Sequence, residues 1–158
     1  MTKRKLIIII FAFMFICYAG SGSAATKAGV GFILGDPSGF TAKVFPDDIY
    51  ALDFGIGPSA HDGFYLYADF LRHFGSLFPV KELVFYVGGG AGFHNHEEHR
   101  KGNESDHENS LEARMPFGIE YTFKDVPVGI FGEIVPAMEI APDFDFNIRG
   151  GAGARYYF

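Results

Sequence analysis

Apolar and polar residues alternate with a period of two over most of this sequence. The clearest example is residues 111–123, LEARMPFGIEYTF, in which Leu111, Phe117 and Ile119 share one face while Glu112, Arg114 and Glu120 share the other. Because successive side chains of a strand point to opposite faces, this segment is predicted to be one long strand with an apolar and a polar side. No segment has a helical spacing long enough to compete with this interpretation.

Seven further segments are predicted to be strands, and most of the links between them are short and rich in Gly, Pro and Asp. The segments are residues 27–34, 39–45, 49–57, 64–74, 83–94, 128–140 and 144–158. Such links join antiparallel neighbours. The predicted fold class is therefore all-β, an eight-stranded antiparallel up-and-down barrel. Pro116 and Pro136 fall inside predicted strands, where each removes a hydrogen-bond donor and is expected to mark an irregularity.

The polar face has the composition expected for the inside of a narrow barrel. An eight-stranded barrel leaves room only for its own side chains, and glycine recurs on this face at Gly88, Gly90, Gly92, Gly118, Gly151 and Gly153. The face also carries charges of both signs, as a paired interior network requires. These charges are Lys43, Arg114, Arg149 and Arg155 against Asp53, Asp69, Glu112, Glu120, Glu133, Glu139 and Asp145.

The longest predicted strands suit a membrane. They span 13 and 15 residues, whereas roughly 9–11 tilted residues cross a bilayer. The pattern therefore favours a transmembrane barrel whose apolar face meets lipid and whose charged interior blocks solute flow, which disfavours a porin. The alternative is a soluble or periplasmic lipocalin-like barrel that buries its apolar face around an apolar ligand.

The first 25 residues have the composition of a cleaved signal peptide. Lys3, Arg4 and Lys5 precede an apolar run over residues 6–19, and small residues follow. The barrel domain is then residues 26–158. Cleavage removes Cys17, the one cysteine, together with three of the 13 basic residues and none of the 19 acidic ones. The net charge falls to −9 from −6, which argues against a nucleic-acid partner.

The longest link, residues 94–110, is polar and without periodicity, and it is predicted to be a mobile surface loop. His94, His96 and His99, with Glu97, Glu98 and His107 nearby, suggest weak capture of Zn, Ni or Cu. The spacing H-x-H-x-x-H matches no established tetrahedral motif, so no metal site is assigned and a solvated loop is the simpler interpretation. The sequence does not identify an extracellular ligand for this loop.

No constellation of catalytic residues is recognisable. The chain has no Gly-x-Ser-x-Gly motif, and Asp69 and His73 share a face without a serine or cysteine nucleophile in the local pattern. We therefore expect no enzyme activity and no cofactor, and assign no catalytic or cofactor-binding residue.

Three segments carry a resemblance to known proteins. They are GFILGDPSGFTAK at residues 31–43, YADFLRHF at 67–74 and NIRGGAGARYYF at 147–158. Together they resemble small outer-membrane β-barrel proteins of Gram-negative bacteria, with the architecture of the OmpA and OmpX transmembrane domains. The aromatic residues Tyr156 and Phe158 look like the terminal signature that the barrel assembly machinery reads in that class.

The resemblance implies an outer-membrane location, contact with outer-membrane lipid, and a structural or surface-interaction role without catalysis. If the N-terminus of the domain starts in the periplasm, the links after the first, third, fifth and seventh strands face outward from the cell. The long link after the fifth strand is one of them.

Overall fold

The computed structural model describes residues 27–59, 63–97, 107–141 and 144–158, and these form one antiparallel sheet of nine strands. The predicted signal peptide lies outside the described residues. The strands are β1 Lys27–Asp36, β2 Gly39–Phe45, β3 Tyr50–Ser59, β4 Gly63–Phe74, β5 Leu83–Glu97, β6 His107–Arg114, β7 Phe117–Thr122, β8 Val128–Ala141 and β9 Asp145–Tyr157. Among the described residues, no helix has the length and apolar character needed to span a membrane.

The sheet closes on itself, because β1 pairs with β2 on one side and with β9 on the other. Strands β6 and β7 act as one strand of the barrel, since both pair with β5 and both pair with β8. The register with β5 is also the same for both, with Gly90 opposite Arg114 and Val87 opposite Phe117. The nine segments therefore make eight barrel strands, which confirms the predicted fold class.

The two prolines behave differently. The chain leaves strand conformation at Met115 and Pro116, between β6 and β7, as predicted for Pro116. The ladder is still bridged there, because Met115 N donates to Pro136 O at 2.9 Å and Gly88 N donates to Pro116 O at 3.0 Å. The irregularity predicted at Pro136 is wrong, since β8 runs through it unbroken. A register shift instead lies between Leu111 and Glu112.

The two ends of the barrel are distinct. The proximal end holds Lys27, Phe158 and the links at 46–49, 75–82 and 123–127, whereas the distal end holds the link at 37–38 and the strand ends at Ser59, Gly63, Glu97, His107, Ala141 and Asp145. The link at 37–38 is a tight turn in which Ser38 Oγ donates to Gly35 O at 2.8 Å and accepts from Gly35 N at 3.0 Å. Gly35 has φ of +138° there, a conformation that L side chains rarely adopt.

The apolar side chains point outward and the charged ones point inward. Phe117 and Ile119 are 39% and 48% exposed, whereas Arg114 and Glu120, on the opposite face of the same barrel strand, are 3% and 4% exposed. This is the reverse of a soluble barrel, in which the apolar face is buried. The predicted orientation of the two faces is therefore correct.

Inward glycines make room for large rings on neighbouring strands. Tyr86 lies opposite Gly118, and Tyr67 lies opposite Gly55. A Cβ atom added at either glycine would overlap the tyrosine ring that covers it. The narrow interior therefore holds bulky side chains only because the facing positions have none, as the recurrence of glycine on the polar face predicted.

Substitution of Gly118 by alanine tests this steric fit. We expect Gly118→Ala to lower the free energy of unfolding by about 1–3 kcal/mol, the usual cost of overpacking. The matched control is Gly132→Ala in the adjacent strand, where an added Cβ meets nothing nearer than Gly151 O at 3.9 Å. Urea titration of the refolded protein in detergent micelles measures both. Equal urea midpoints for the two variants would show that the Tyr86 ring does not require the space left by Gly118.

Candidate functional site: the charged barrel interior

Eight charged side chains are fully buried inside the described part of the barrel. They are Lys43, Arg114 and Arg155, with Asp53, Asp69, Glu112, Glu120 and Glu133. Burying an isolated charge is very costly, so each needs an opposite charge and hydrogen bonds. The contacts fall into three groups along the barrel axis, which we call the proximal, central and distal clusters.

The proximal cluster is built around Glu120 of β7. Lys43 Nζ lies 2.7 Å from Glu120 Oε2, and the Tyr157 hydroxyl donates to Glu120 Oε1. The Lys43 ammonium also lies 3.2 Å from His73 Nε2 and 4.2 Å from the centroid of the Tyr86 ring. Both oxygens of the carboxylate and the buried ammonium therefore have partners within the protein.

The central cluster contains two arginines, of which Arg155 of β9 is one. Its Nη2 lies 2.7 Å from Asp53 Oδ2 and donates to Thr41 Oγ1 at 2.7 Å. Thr41 in turn donates its hydroxyl to Asp53 Oδ1 at 3.2 Å. The guanidinium carbon lies 3.8 Å from the centroid of the Phe131 ring, so the flat face of the cation is also covered.

The second central arginine is Arg114 of β6. Its Nε lies 2.9 Å from Asp69 Oδ1, and its Nη2 lies 3.9 Å from Glu133 Oε1. Glu133 also accepts a hydrogen bond of 2.9 Å from the Tyr86 hydroxyl. The Arg114 guanidinium carbon lies 3.9 Å from the centroid of the Tyr67 ring.

The distal cluster is built around Glu112. Arg149 Nη2 lies 3.0 Å from Glu112 Oε2, the Tyr65 hydroxyl donates to Oε1, and His94 Nε2 lies 3.2 Å from Oε2. Arg149 also reaches outward, with Nη1 at 3.5 Å from Asp36 Oδ1. The network therefore extends from the interior to the distal mouth of the barrel.

One arrangement recurs in all three clusters. Each buried glutamate accepts a tyrosine hydroxyl and pairs with a cation: Glu120 with Tyr157 and Lys43, Glu133 with Tyr86 and Arg114, Glu112 with Tyr65 and Arg149. Hydrogen bonds to a charged group are among the stronger ones. The carboxylates of these three glutamates are therefore occupied by the protein's own donors. Other buried polar atoms of the clusters, such as the Tyr67 hydroxyl, Arg114 Nη2 and Arg155 Nη1, have no hydrogen-bond partner among the described residues.

Asp69 and His73, which share a face of β4 and were assigned no catalytic role, belong to different clusters. Asp69 pairs with Arg114 in the central cluster, whereas His73 contacts Lys43 in the proximal cluster. Their shared face places them four residues apart along β4, and each has a different partner.

Most of the predicted interior charges are inside, with two corrections. Arg149 is half-buried, in the distal cluster. Glu139, which was predicted to be interior, is only half-buried, and Asp145, also predicted to be interior, is exposed at the distal end. Asp145 Oδ2 accepts from Asn147 Nδ2 at 3.0 Å instead of joining the network. Both residues lie where β8 and β9 leave the barrel interior, so solvent reaches them.

Three inward aromatic and aliphatic residues have roles that were not predicted from the sequence. Tyr86, Phe131 and Val135 are all buried inside the barrel. Tyr86 supplies a hydroxyl to Glu133, and Phe131 supplies a ring to Arg155. Strict alternation through residues 83–94 and 128–140 would have placed them inside, because they share parity with the buried glycines and with Glu133.

The predicted surface loop at residues 94–110 is shorter than expected. Strand β5 continues to Glu97 and β6 begins at His107, so the link is confined to 98–106. His94 and Ser110 are buried, and His94 contacts Glu112 inside the barrel. The metal ligands suggested at Glu98 and His99, and the side chains of His96, Glu97 and His107, lie outside the described residues. Within the described ranges, no group of three His, Cys, Asp or Glu residues is arranged to hold a metal ion.

A cavity opens at the proximal end. It has a volume of about 520 Å³, and its lining includes Lys27, Phe45, His73, Glu120 and Thr122. The Lys27 ammonium lies 4.6 Å from the centroid of the Tyr157 ring. The cavity thus reaches the outer side of the proximal cluster.

Comparison with known proteins supports the fold. No family model and no curated protein matches the chain. Among solved structures, the chain is similar to the N-terminal β-barrel domain of Pseudomonas aeruginosa OprF, with a TM-score of 0.69 and 16% identity over 84% of this chain and 98% of that one. It is also similar to Neisserial surface protein A, NspA, with a TM-score of 0.51 and 16% identity over 84% and 94% of the two chains.

At this level of identity, the likeness concerns the fold. Both structures are eight-stranded outer-membrane barrels, and the predicted resemblance to that class of fold is confirmed.

Removal of Lys43 tests whether the interior charges depend on one another. We expect Lys43→Met to lower the free energy of unfolding by about 3–5 kcal/mol, because Glu120 is then left buried without its nearest cation. Adding Glu120→Gln to Lys43→Met is expected to recover part of this loss. Urea titration in detergent micelles measures both variants.

The matched control is Lys124→Met at the proximal end. Lys124 Nζ lies 2.9 Å from Glu82 Oε1 in exposed links, and this hydrogen bond lowers the pKa of Glu82. An exposed pair contributes little to stability, so no measurable change is expected. If Lys43→Met behaves like this control, the interior ion pair does not stabilise the barrel.

Proposed function

We propose that this chain is a small integral protein of the outer membrane of a Gram-negative bacterium, with a structural or surface-interaction role and no catalysis. The observation that carries the proposal is the inversion of the two faces. Outward residues such as Phe32, Phe70 and Ile134 are 51–60% exposed, while eight charged residues are buried inside the described barrel. Water around such a surface would be unfavourable by roughly 25 cal/mol for each Å² of apolar area.

The closed sheet fits a lipid environment. Hydrocarbon offers no hydrogen-bond partner, so only structures without free backbone edges can cross it. Pairing of β1 with β9 removes both edges of this sheet. The outward tyrosines Tyr50, Tyr121 and Tyr156 all lie near the proximal end, at the depth where aromatic girdles meet the headgroups.

The orientation is proposed from the longest link alone, residues 98–106 between β5 and β6, because the other three distal links are shorter than the proximal ones. Barrels of this class have short periplasmic turns and longer extracellular loops. We place the proximal end in the periplasm and the distal end, with the link at 98–106, outside the cell. In this orientation, a surface-interaction role would require a ligand that binds at the distal end. NspA, whose name describes it as a surface protein, is a solved structure of the same fold.

The last strand carries outward aromatic residues of the kind that the barrel assembly machinery would recognise. Tyr156 and Phe158 are 54% and 60% exposed on the outward face of the barrel, at its proximal rim. We propose that the barrel assembly machinery recognises this rim during biogenesis.

The charged interior argues against two other roles. A lipocalin-like binder needs an apolar lumen, whereas this lumen is filled by paired charges and tyrosines. A diffusion pore needs an open lumen, whereas the eight buried charges of the described interior are at most 7% exposed. Metal capture by residues 94–110 is not favoured by any described contact. His94, one of its suggested ligands, is buried inside the barrel and contacts Glu112.

Cell fractionation tests the proposal. The full chain, expressed in a Gram-negative host, is expected in the outer-membrane fraction, and unheated samples are expected to migrate faster than boiled ones in SDS gels. The same purified protein is expected to give no steady conductance in a planar bilayer, because the clusters fill the lumen. A soluble periplasmic monomer would contradict the location, and a large steady conductance would contradict the filled interior.

A further inference from the structure

Arg72 is an exception on the outer surface. In the proximal half of the described strands, every other outward residue is apolar, glycine or tyrosine. Arg72 is exposed on β4, two residues before the strand ends at Phe74. A charge on a lipid-facing surface is unfavourable at the bilayer centre and nearly neutral close to the headgroups. Its position near the proximal rim therefore places it at headgroup depth.

The surroundings of Arg72 leave its hydrogen-bond donors available. Tyr50 of β3 lies directly opposite Arg72, and Val87 of β5 lies on its other side. The guanidinium carbon lies 5.0 Å from the centroid of the Phe74 ring. No carboxylate of the described residues lies within ion-pair distance, in contrast to the arginines of the interior clusters, each of which has one.

An anionic phospholipid matches this environment best. A guanidinium presents a planar set of donors that fits a phosphate group bidentately. The neighbouring side chains are apolar or aromatic, and the Tyr50 ring stacks on Phe70 with centroids 5.3 Å apart. A free phosphate ion would gain nothing from these rings, whereas the acyl chains of a lipid would pack on them.

We propose that Arg72, beside Tyr50 and Phe74, binds the phosphate of an anionic phospholipid in the periplasmic leaflet of the outer membrane. The proposal rests on the proposed membrane location, because the site exists only where the outer surface meets lipid. It adds a specific lipid contact to a surface that otherwise interacts with hydrocarbon without selectivity.

Spin-labelled lipids test this contact. The folded protein is placed in phosphatidylcholine bilayers with trace spin-labelled phosphatidylglycerol or phosphatidylcholine, and the motionally restricted fraction of each label is measured. We expect the wild type to select phosphatidylglycerol by about fivefold, the effect of one cation near the surface. Arg72→Gln is expected to abolish this selection, and Arg72→Lys to retain part of it.

Lys124→Gln is the matched control. It removes the same charge at the same end, but from an exposed turn at 123–127 and not from the outer face, so selection is expected to persist. Selection that survives Arg72→Gln, or that is lost equally in Lys124→Gln, would overturn the proposal. Loss of selection on adding inorganic phosphate at constant ionic strength would overturn the lipid as the occupant, by showing a general anion site.

The same samples separate this proposal from the proposed function. Heat-modifiable migration of every variant reports whether the barrel is folded in the bilayer. If even the wild type fails to insert, the proposed membrane location is wrong, and the proposed lipid site is wrong as well. If all variants insert and none selects lipid, only the lipid site is wrong.

Discussion

In hydrocarbon, each backbone N–H and C=O group must find its hydrogen-bond partner within the protein. The described chain meets this constraint by closing its sheet: Ala28 N donates to Phe158 O at 3.1 Å, and Phe158 N donates to Ala28 O at 2.8 Å. Around the rest of the wall, each strand pairs with both of its neighbours. Where Pro116 and Pro136 remove donors, adjacent groups bridge the gap through the proline carbonyls. Closure with eight strands in turn fixes the narrow width of the lumen.

That narrow lumen explains the composition of the interior. The rings of Tyr67, Tyr86 and Tyr157 fit because each lies against a glycine of a neighbouring strand, as Tyr86 does against Gly118. The side chains that enter must also satisfy one another, because little water reaches them. The repeated unit of glutamate, tyrosine hydroxyl and cation achieves this for the three buried glutamates, Glu120, Glu133 and Glu112. A lumen filled by paired side chains differs from the open lumen of a channel.

The strands and the orientation of their faces were predictable, because alternation is a local property and charged residues mark one face of each strand. The partners were not, since pairs such as Arg155 with Asp53 or Lys43 with Glu120 join residues far apart in sequence and depend on register around the closed barrel. The distal end of β5 was also poorly predicted, because the strand continues to Glu97. His94 was assigned to a polar loop by its neighbours, although its side chain enters the barrel and meets Glu112.

The outward direction of the apolar face can be measured directly, because the chain contains no tryptophan and a single one can be introduced as a probe. Phe117→Trp places it on the outward face and Phe131→Trp on the inward face. In bilayers of lipids brominated along their acyl chains, the account predicts strong quenching of the tryptophan at position 117 and little at 131. Quenching at 131 without quenching at 117, or strong quenching of 117 by aqueous acrylamide, would contradict it.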